Sequence, residues 1–507
     1  MKDLLEVEFG TIADLIRLHA VEAPARHALV QGQRVLSYAA LDAMMDRVAS
    51  ALQRDGLKPG DAIALCANMS IEYAAVFLGA LRAGVVVAPL APSSTPDSLA
   101  RMITDADARL VFTDAACATA ATVTRIALDD ADVAPALTGW LAAAGQHPVP
   151  VAVQPQWPFN IIYSSGTTGE PKGIVQSHGM RWTHVRRGST YSYGPDTLTL
   201  LSTPLYSNTT LVVFFPTLAF GGTVLLMPKF DAAGYLKLAQ THRVTHTMLV
   251  PVQYQRLMAR PDFDAHDLSS FKFKFSTSAP FTAAVKADVL KRWPGGLVEF
   301  YGMTEGGGSC ILEAHLHPTK LHTVGRPAEG HDIRLIDDNL KEVAPGEAGE
   351  VVGHSPGMMT GYHRQPEKTS EAEWFDASGK RFIRTGDIGR FDAEGFLTLF
   401  DRKKDMVISG GFNVYPSDLE AVLREHPSVL EAAVVGMPSE QWGETPVAFV
   451  VMQPGQTADV AELLQWVNQR VGKTQRVTAL RIMQELPRSA IGKVLKRELR
   501  DQYKSTP

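Results

Sequence analysis

The segment YSSGTTGEPKG, Tyr163 to Gly173, sets five hydroxyl side chains and one lysine around three glycines. Glycine at this density disfavours both a helix and a central strand, because it loses the most backbone freedom on ordering. The apolar run FNIIYS, Phe159 to Ser164, comes just before and reads as a buried strand. A glycine-rich loop leaving a strand surrounds an anion with backbone N–H groups. Here Ser164, Ser165, Thr167 and Thr168 add hydroxyl donors beside Gly166 and Gly169, and Lys172 adds a positive charge. Phosphate is the ligand that such a set suits. The spacing is not that of a Walker A loop, because Pro171 precedes the lysine and Gly173 follows it. Taken alone, the loop also reads as a solvated turn.

Five further segments bear on the choice. They are STSAP (Ser276 to Pro280), YGMTE (Tyr301 to Glu305), RTGDIG (Arg384 to Gly389), DRKKDMVISGGFNVYPSDLE (Asp401 to Glu420) and LPRSAIGK (Leu486 to Lys493). Singly, each has a bland reading: Tyr301 as core, Asp387 as a turn residue, Arg402 as half of a surface ion pair, Lys493 as a solvated helix-start residue. In this order, and with the glycine-hydroxyl loop, they resemble the motifs of the adenylate-forming superfamily. That superfamily comprises acyl- and aryl-CoA synthetases, peptide-synthetase adenylation domains and firefly-type luciferases. The resemblance covers nearly the whole chain.

The resemblance implies an ATP-dependent carboxylic acid–CoA ligase. An acid and ATP give an acyl-adenylate and pyrophosphate; a thiol, that of coenzyme A, then displaces AMP. A separate carrier protein as acceptor is the alternative. The first step sets one anion against another, so the site needs positive charge and preorganised donors. By resemblance, Ser165 to Lys172 hold the β- and γ-phosphates, and Ser164 belongs to the same nucleotide site. Tyr301 stacks on adenine, with Ser278, Ala279, Pro280, Gly302 and Met303 around it. Thr304 contacts the α-phosphate. Glu305 holds Mg²⁺, a hard cation that prefers oxygen ligands. Asp387 accepts from the ribose hydroxyls with Arg402 beside it. Lys493 reaches the carboxylate and α-phosphate, a task that suits a point cation on a long stem. Lys404 falls at the hinge about which a small domain turns between the two steps. Ser409, Gly410 and Gly411 then line a tunnel for the thiol arm, where glycine lets backbone approach closely. Trp442, Lys473 and Arg476 are further candidates for coenzyme A, with core packing the other reading of Trp442.

Several positions depart from family habit. The acid pocket is expected from Tyr206, Ser207, Asn208, Thr209, Thr277, Phe300 and Gly307. Ser207 stands where many CoA ligases have histidine, and no aspartate marks an α-amino acid site there. Thr277 replaces a common glycine. Phe300 replaces the glycine of 4-coumarate–CoA ligases, and a large ring there shortens the acid tunnel. Malonyl-CoA synthetases carry arginine in that place, so malonate is not expected; a compact aromatic acid or a short- to medium-chain aliphatic acid is. The aromatic-Lys-x-Pro pattern usual near Thr474 to Val477 is absent, and Asp401 replaces a glycine.

The elements that must position these residues alternate in type. TIADLIRLHAVEA and Tyr38 to Leu52 show helical periodicity, with Ile12, Leu15, Ile16 and His19 on one face. DAIALCA, VVVAPL, LVFT, TVLLM and HTMLVP are short apolar runs between helices, the pattern of a parallel sheet covered on both sides. After about residue 325 the strands shorten between glycine turns, as in an antiparallel section. The expected fold is α/β. A large N-terminal domain, 1–403, has αβ-layered sheets and a small β-barrel-like section; a small mobile α+β domain, 404–507, carries the catalytic lysine.

With 507 residues, 45% hydrophobic and 20% charged, the chain has the composition of a multi-domain globular protein. A formal net charge of -5 offers no basic excess for nucleic acid. The three cysteines, Cys66, Cys117 and Cys310, are too few and too dispersed for a disulfide framework or zinc site, which fits a cytoplasmic location. No apolar run approaches the roughly 20 residues of a membrane span, and the N-terminal stretch does not read as a signal peptide. A monomer or homodimer is expected.

Overall fold

The computed structural model describes residues 7–129, 135–164, 172–409, 412–472, 475–489 and 492–505. The chain forms two compact units: one of Met1–Leu321, Pro327–Asp332 and His354–Ile383, the other of His322–Arg326, Ile333–Gly353 and Arg384–Pro507.

Two sheets build the first unit. One runs in the order Gly361–Tyr362, Lys172–Ser177, Pro158–Ser164, Val86–Leu90, Ala62–Cys66, Ala108–Thr113, Thr124–Ala127. Ala62–Cys66 is buried along its length and parallel to both neighbours, as its unbroken apolar run requires. Helix Ile71–Arg82 begins at Ser70, whose side chain accepts from the Tyr73 N–H, and buries every residue except Glu72. Helix Ile12–Glu22 buries the expected face of Ile12, Leu15, Ile16 and His19. Strand Pro158–Ser164 forms an antiparallel hairpin with Lys172–Ser177, in which Ser164 lies opposite Lys172. The glycine-hydroxyl segment therefore joins two strands. Its residues Ser165, Gly166, Thr167, Thr168 and Gly169 lie outside the described residues.

The second sheet includes, in order, Ser309–Glu313, Gly296–Gly302, Phe273–Ser276, His246–Leu249, Leu198–Leu201, Thr223–Leu226, His27–Gln31 and Arg34–Ser37. Gly296–Gly302 and Phe273–Ser276 are adjacent and parallel. STSAP and YGMTE thus leave the carboxyl ends of neighbouring parallel strands, where open α/β sheets bind ligands.

A five-stranded open sheet runs Asp332–Ile336, Gly349–His354, Arg381–Phe391, Glu373–Phe375, and Leu397–Arg402 also pairs with Arg381–Phe391. This corrects the barrel-like expectation: among the described residues the end strands 332–336 and 373–375 do not pair, and a barrel needs that closure. The remaining strands run Phe412–Val414, Val407–Ser409, Gly443–Met452, Val429–Ser439, with Ala479–Met483 parallel to Gly443–Met452. Helices Pro416–Arg424 and Val460–Arg470 bury Leu419, Leu423, Leu463 and Val467 against Val434, Ala448 and Val450. This is the α+β arrangement expected of the C-terminal segment.

Candidate active site

In the first unit, Thr304 and Glu305 follow strand Gly296–Gly302 in a turn anchored from three sides. The Met359 N–H donates to the Glu305 carbonyl at 2.7 Å. Ser355 Oγ donates to the Gly306 carbonyl at 2.6 Å. Gln176 Nε2 donates to the Thr304 carbonyl at 2.6 Å. Gln176 is itself fixed: Asn160 Nδ2 donates to its Oε1 at 3.1 Å, and the buried Arg181 contacts the same oxygen. Arg181 also donates to Asn160 Oδ1 from Nε and Nη2, at 3.1 and 3.0 Å. Gly306 has φ +72°, and a Cβ there would fall 2.1 Å from the Gly357 carbonyl oxygen, so only glycine fits after Glu305.

Tyr362 Oη donates to Glu305 Oε1 at 2.9 Å, and the Lys172 ammonium lies 5.3 Å from the Tyr362 ring centroid. One side chain thereby bridges the lysine of the glycine-hydroxyl hairpin and the carboxylate of YGMTE. Burial, and then the Glu305 carboxylate, raise the Tyr362 phenol above its ordinary value, so it stays protonated and donates. Sequence reasoning missed Tyr362, because nothing in GYHR marks it and the contact spans 57 positions.

Of the expected acid-pocket residues, Ser207, Thr209 and Phe300 have defined partners. Ser207 caps helix Asn208–Ala219 by accepting from the Thr209 N–H. Thr209 Oγ1 shares a 2.5 Å hydrogen bond with Ser278 Oγ, which joins the PLYSNTT and STSAP segments. Ser278 sits at φ +83°, a left-handed conformation that a non-glycine residue adopts at a cost. Asn208 Oδ1 is buried without a hydrogen-bond partner among the described residues, as suits a group awaiting a ligand. Phe300 packs edge-on to Tyr191 at 5.8 Å and tilted against Phe275 at 5.6 Å. Tyr206, Thr277, Ala279, Tyr301 and Met303 are half-buried, Pro280 and Gly302 exposed, and Gly307 buried.

In the second unit, Asp387 and Arg402 are cross-strand partners, with Arg402 Nε 3.2 Å from Asp387 Oδ1. Asp401, the unexpected acid beside them, accepts from the Ser417 N–H at 2.8 Å in the first turn of helix Pro416–Arg424. It also lies 3.8 Å from Lys496 Nζ, which pairs with Glu420 at 3.0 Å. The departure from glycine thus has a physical account. Lys404 is exposed in the turn after Leu397–Arg402.

Lys493 is exposed on a turn closed by two bonds: the Ser489 N–H donates to its carbonyl at 2.8 Å, and its own N–H donates to Ser489 Oγ at 3.2 Å. Arg488 steadies that turn, reaching the Gly492 carbonyl at 2.7 Å and Glu431 at 2.8 Å. Ser409 is buried and pairs with Gly443, which places it beside Trp442. Trp442 is 47% exposed, so core packing does not explain it. Arg476 is exposed; Gly410, Gly411 and Lys473 lie outside the described residues.

Parallel strands that deliver a carboxylate and donors to their carboxyl ends, beside the hairpin strand that begins at Lys172, form the kind of edge at which open α/β sheets bind ligands. The family model for AMP-binding enzymes matches residues 16–363, and that for their C-terminal domain matches residues 418–493. The chain belongs to this family of AMP-binding enzymes. It is 32% identical to an indoleacetate–CoA ligase of Aromatoleum aromaticum, over 96% of this chain and 97% of that one. It is 33% identical to a feruloyl-CoA synthase of an Amycolatopsis species, over 95% and 96%. The ATP-bound crystal structure of MatB from Rhodopseudomonas palustris superposes with a TM-score of 0.88 at 30% identity, covering 98% of this chain and 99% of that one. The protein is an AMP-forming acid–thiol ligase that uses ATP to adenylate a carboxylic acid and passes the acyl group to coenzyme A.

Proposed function

We propose that this ligase acts on a compact acid, aromatic or short- to medium-chain. The observation that carries this reading is the packing of Phe300 against Tyr191 and Phe275. The ring fills space just before Tyr301, and the Thr209–Ser278 bond holds the neighbouring wall. Adenylation brings a carboxylate onto a triphosphate, so every donor aimed at the developing charge lowers the barrier. In this reading the 164–172 segment binds the terminal phosphates, and Tyr362 holds Lys172 and Glu305 in one frame. The buried Gln176–Asn160–Arg181 network fixes the Thr304 backbone, leaving its hydroxyl for the α-phosphate. Tyr301 and the 278–280 segment hold adenine, Asp387 holds the ribose with Arg402 beside it, and Lys493 neutralises the reacting oxygens.

Mg²⁺ fits this donor set. No cluster of three or more His, Cys, Asp or Glu that could cage a metal exists among the described residues. Mg²⁺ is ordinarily held by one or two carboxylates together with substrate phosphates. Glu305 would be that carboxylate, and the ion would offset phosphate charge.

For the second step, Ser409, Trp442, Arg476 and the residues at 410, 411 and 473 would meet coenzyme A after 404–507 turns about Lys404 relative to 1–403. Among the described residues no helix is long and apolar enough to cross a membrane, and a cytoplasmic location is proposed. The test is AMP release with ATP and Mg²⁺, with and without coenzyme A, across benzoates, hydroxycinnamates, malonate and C2 to C12 acids. CoA-dependent turnover on compact acids is expected. Turnover confined to long chains would overturn the compact pocket. Pyrophosphate release without CoA-dependent AMP release would identify a carrier protein as acceptor.

A further inference from the structure

The fold brings two of the three cysteines together. Cys66 ends strand Ala62–Cys66 and stands opposite Thr113, the last residue of strand Ala108–Thr113. Side chains alternate along the first strand: Ile63 and Leu65 enter the main core, whereas Ala62, Ala64 and Cys66 face a second apolar layer. Cys117 is buried in that same layer, and the two thiols interact there as hydrogen-bond partners.

The turn after Thr113 holds Cys117 in place. Its N–H donates to the Asp114 carbonyl at 3.1 Å. Asp114 Oδ2 accepts from the N–H and Nδ2 of Asn68, at 2.8 and 2.9 Å, which ties the turn to the residues just after Cys66. Cys117 points inward from a stretch in which Ala115, Ala116 and Ala118 are exposed. Local opening of such a turn uncovers the thiol without unfolding the sheet. Cys310 differs: it is buried in strand Ser309–Glu313, outside that layer, and burial raises its thiol.

A cation stands beside the pair. Arg125, on the neighbouring strand Thr124–Ala127, donates from Nη2 to Thr113 Oγ1 at 3.4 Å. Its Nε is buried with no hydrogen-bond partner among the described residues. The hydrogen bond from Cys66, and then the Arg125 guanidinium, lower the Cys117 thiol against burial and the Asp114 carboxylate. The same thiol–thiol bond, and then burial, raise Cys66. Cys117 is thus the side that carries the thiolate, and Cys66 keeps the proton that steadies it. A thiolate beside a cation, with a second thiol in reach, is the arrangement of a nucleophilic and a resolving cysteine.

We propose that Cys66 and Cys117 are a redox modification site, which a low-molecular-weight disulfide converts to one reversible intramolecular bond. The Cys117 thiolate attacks a sulfur of the reagent and expels its first thiolate. Cys66 then loses its proton, attacks the Cys117 sulfur of the mixed disulfide and expels the second thiolate. Two electrons pass from the cysteines to the reagent, and the two protons end on the released thiols. In a reducing compartment a pair of this kind senses the thiol balance rather than stapling the fold. The same apolar layer holds Ile161 and Val175 of the hairpin that carries Lys172, so the bond stiffens the sheet behind that hairpin. None of this chemistry depends on which acid the ligase takes.

The test incubates the native full-length chain with hydroxyethyl disulfide and mercaptoethanol at set ratios. Samples are quenched with acid, alkylated under denaturing conditions and mapped as peptides by mass spectrometry. A peptide linking Cys66 to Cys117 should form as the disulfide share rises and revert with excess mercaptoethanol, while Cys310 stays a free thiol. The oxidised protein should unfold about 2–4 °C higher, because the bond closes a long loop. Cys66→Ser should accumulate the mixed disulfide at Cys117, since no resolving thiol remains, and Cys117→Ser should leave Cys66 free. Arg125→Met should slow closure by about 3- to 10-fold. Unfolding midpoints report whether each variant folds. Both thiols free at every ratio, a linked peptide formed only in urea, or a bond between two chains overturns the site. A lower unfolding midpoint on oxidation also overturns it, by showing a pair forced together rather than preformed. Closure of a folded Arg125→Met at the wild-type rate overturns the part assigned to Arg125.

Discussion

Tyr362→Phe removes one hydroxyl and leaves the ring beside Lys172 in place. The lost bond is a phenol donating to a carboxylate at 2.9 Å. A hydrogen bond to a charged group contributes about 1.5–3 kcal/mol. Tyr362 and Glu305 are both half-buried, so solvent replaces part of the loss and the low end applies. At about 1.36 kcal/mol per decade, roughly 1.5 kcal/mol is a little over tenfold. Tyr362→Leu also loses the cation–π contact, which adds about 0.5–1 kcal/mol, for a total near 30- to 70-fold. The assay is pyrophosphate release without coenzyme A, measured at several Mg²⁺ concentrations. For Tyr362→Phe, kcat/KM for ATP should fall about tenfold, and half-saturation should need more Mg²⁺ because Glu305 is less well held. The unfolding midpoint should move little. If both variants stay within about twofold of wild type at every Mg²⁺ concentration, Tyr362 does not organise the site and the bridge is incidental.

Four other outcomes are expected. Lys493→Ala should slow adenylation by about 100-fold or more yet spare thioester formation from supplied acyl-adenylate; equal loss of both steps would refute its role. Lys404→Pro should impair the coenzyme A step more than adenylation, and equal damage would count against a hinge there. Phe300→Gly should admit longer acids and lower stability by about 2 kcal/mol, since a half-buried ring packed on Tyr191 and Phe275 is removed; unchanged chain-length preference would show that Phe300 does not floor the pocket. Burial holds the His246 imidazole down to about 4, against about 6.5 when unfolded. The unfolded chain therefore takes up this proton first, and stability should fall as pH drops from about 6.5 through about 4, by up to about 3 kcal/mol. Denaturant melts of His246→Gln should show a flatter acid slope, and an unchanged slope would assign the loss to other groups.

What could be read from the sequence was mostly local. The helix at Ile12–Glu22, its buried face and the apolar strand at Ala62–Cys66 follow from periodicity alone. The ordered motifs were legible because each lies in a short continuous segment. The pairing of Ser164 with Lys172 was not, because KGIVQS carries too weak an alternation to read as a strand beside a glycine loop. Nor were the partners of the motif residues. Tyr362 meets Glu305 across 57 positions, and Arg187 meets His331 across 144, contacts that only the assembled sheets bring together. Asp401 looked like an unexplained exchange for glycine because its partners, Ser417 and Lys496, lie further along the chain. The open sheet replaced the expected barrel because closure depends on edge strands that no local pattern specifies.

Asp401 also bears on thermodynamics. It precedes Lys404, yet it is bonded to Ser417 and faces Lys496, both beyond that residue. If the segment after Lys404 swings as a body, these contacts cannot persist throughout the swing. They then act as a latch, adding free energy to one arrangement and none to the other. An enzyme so biased spends most of its idle time in the latched arrangement and pauses before each excursion from it. Asp401→Gly would level that landscape, so the trace of the substitution would be found in the dwell times of single molecules rather than in affinity for any ligand.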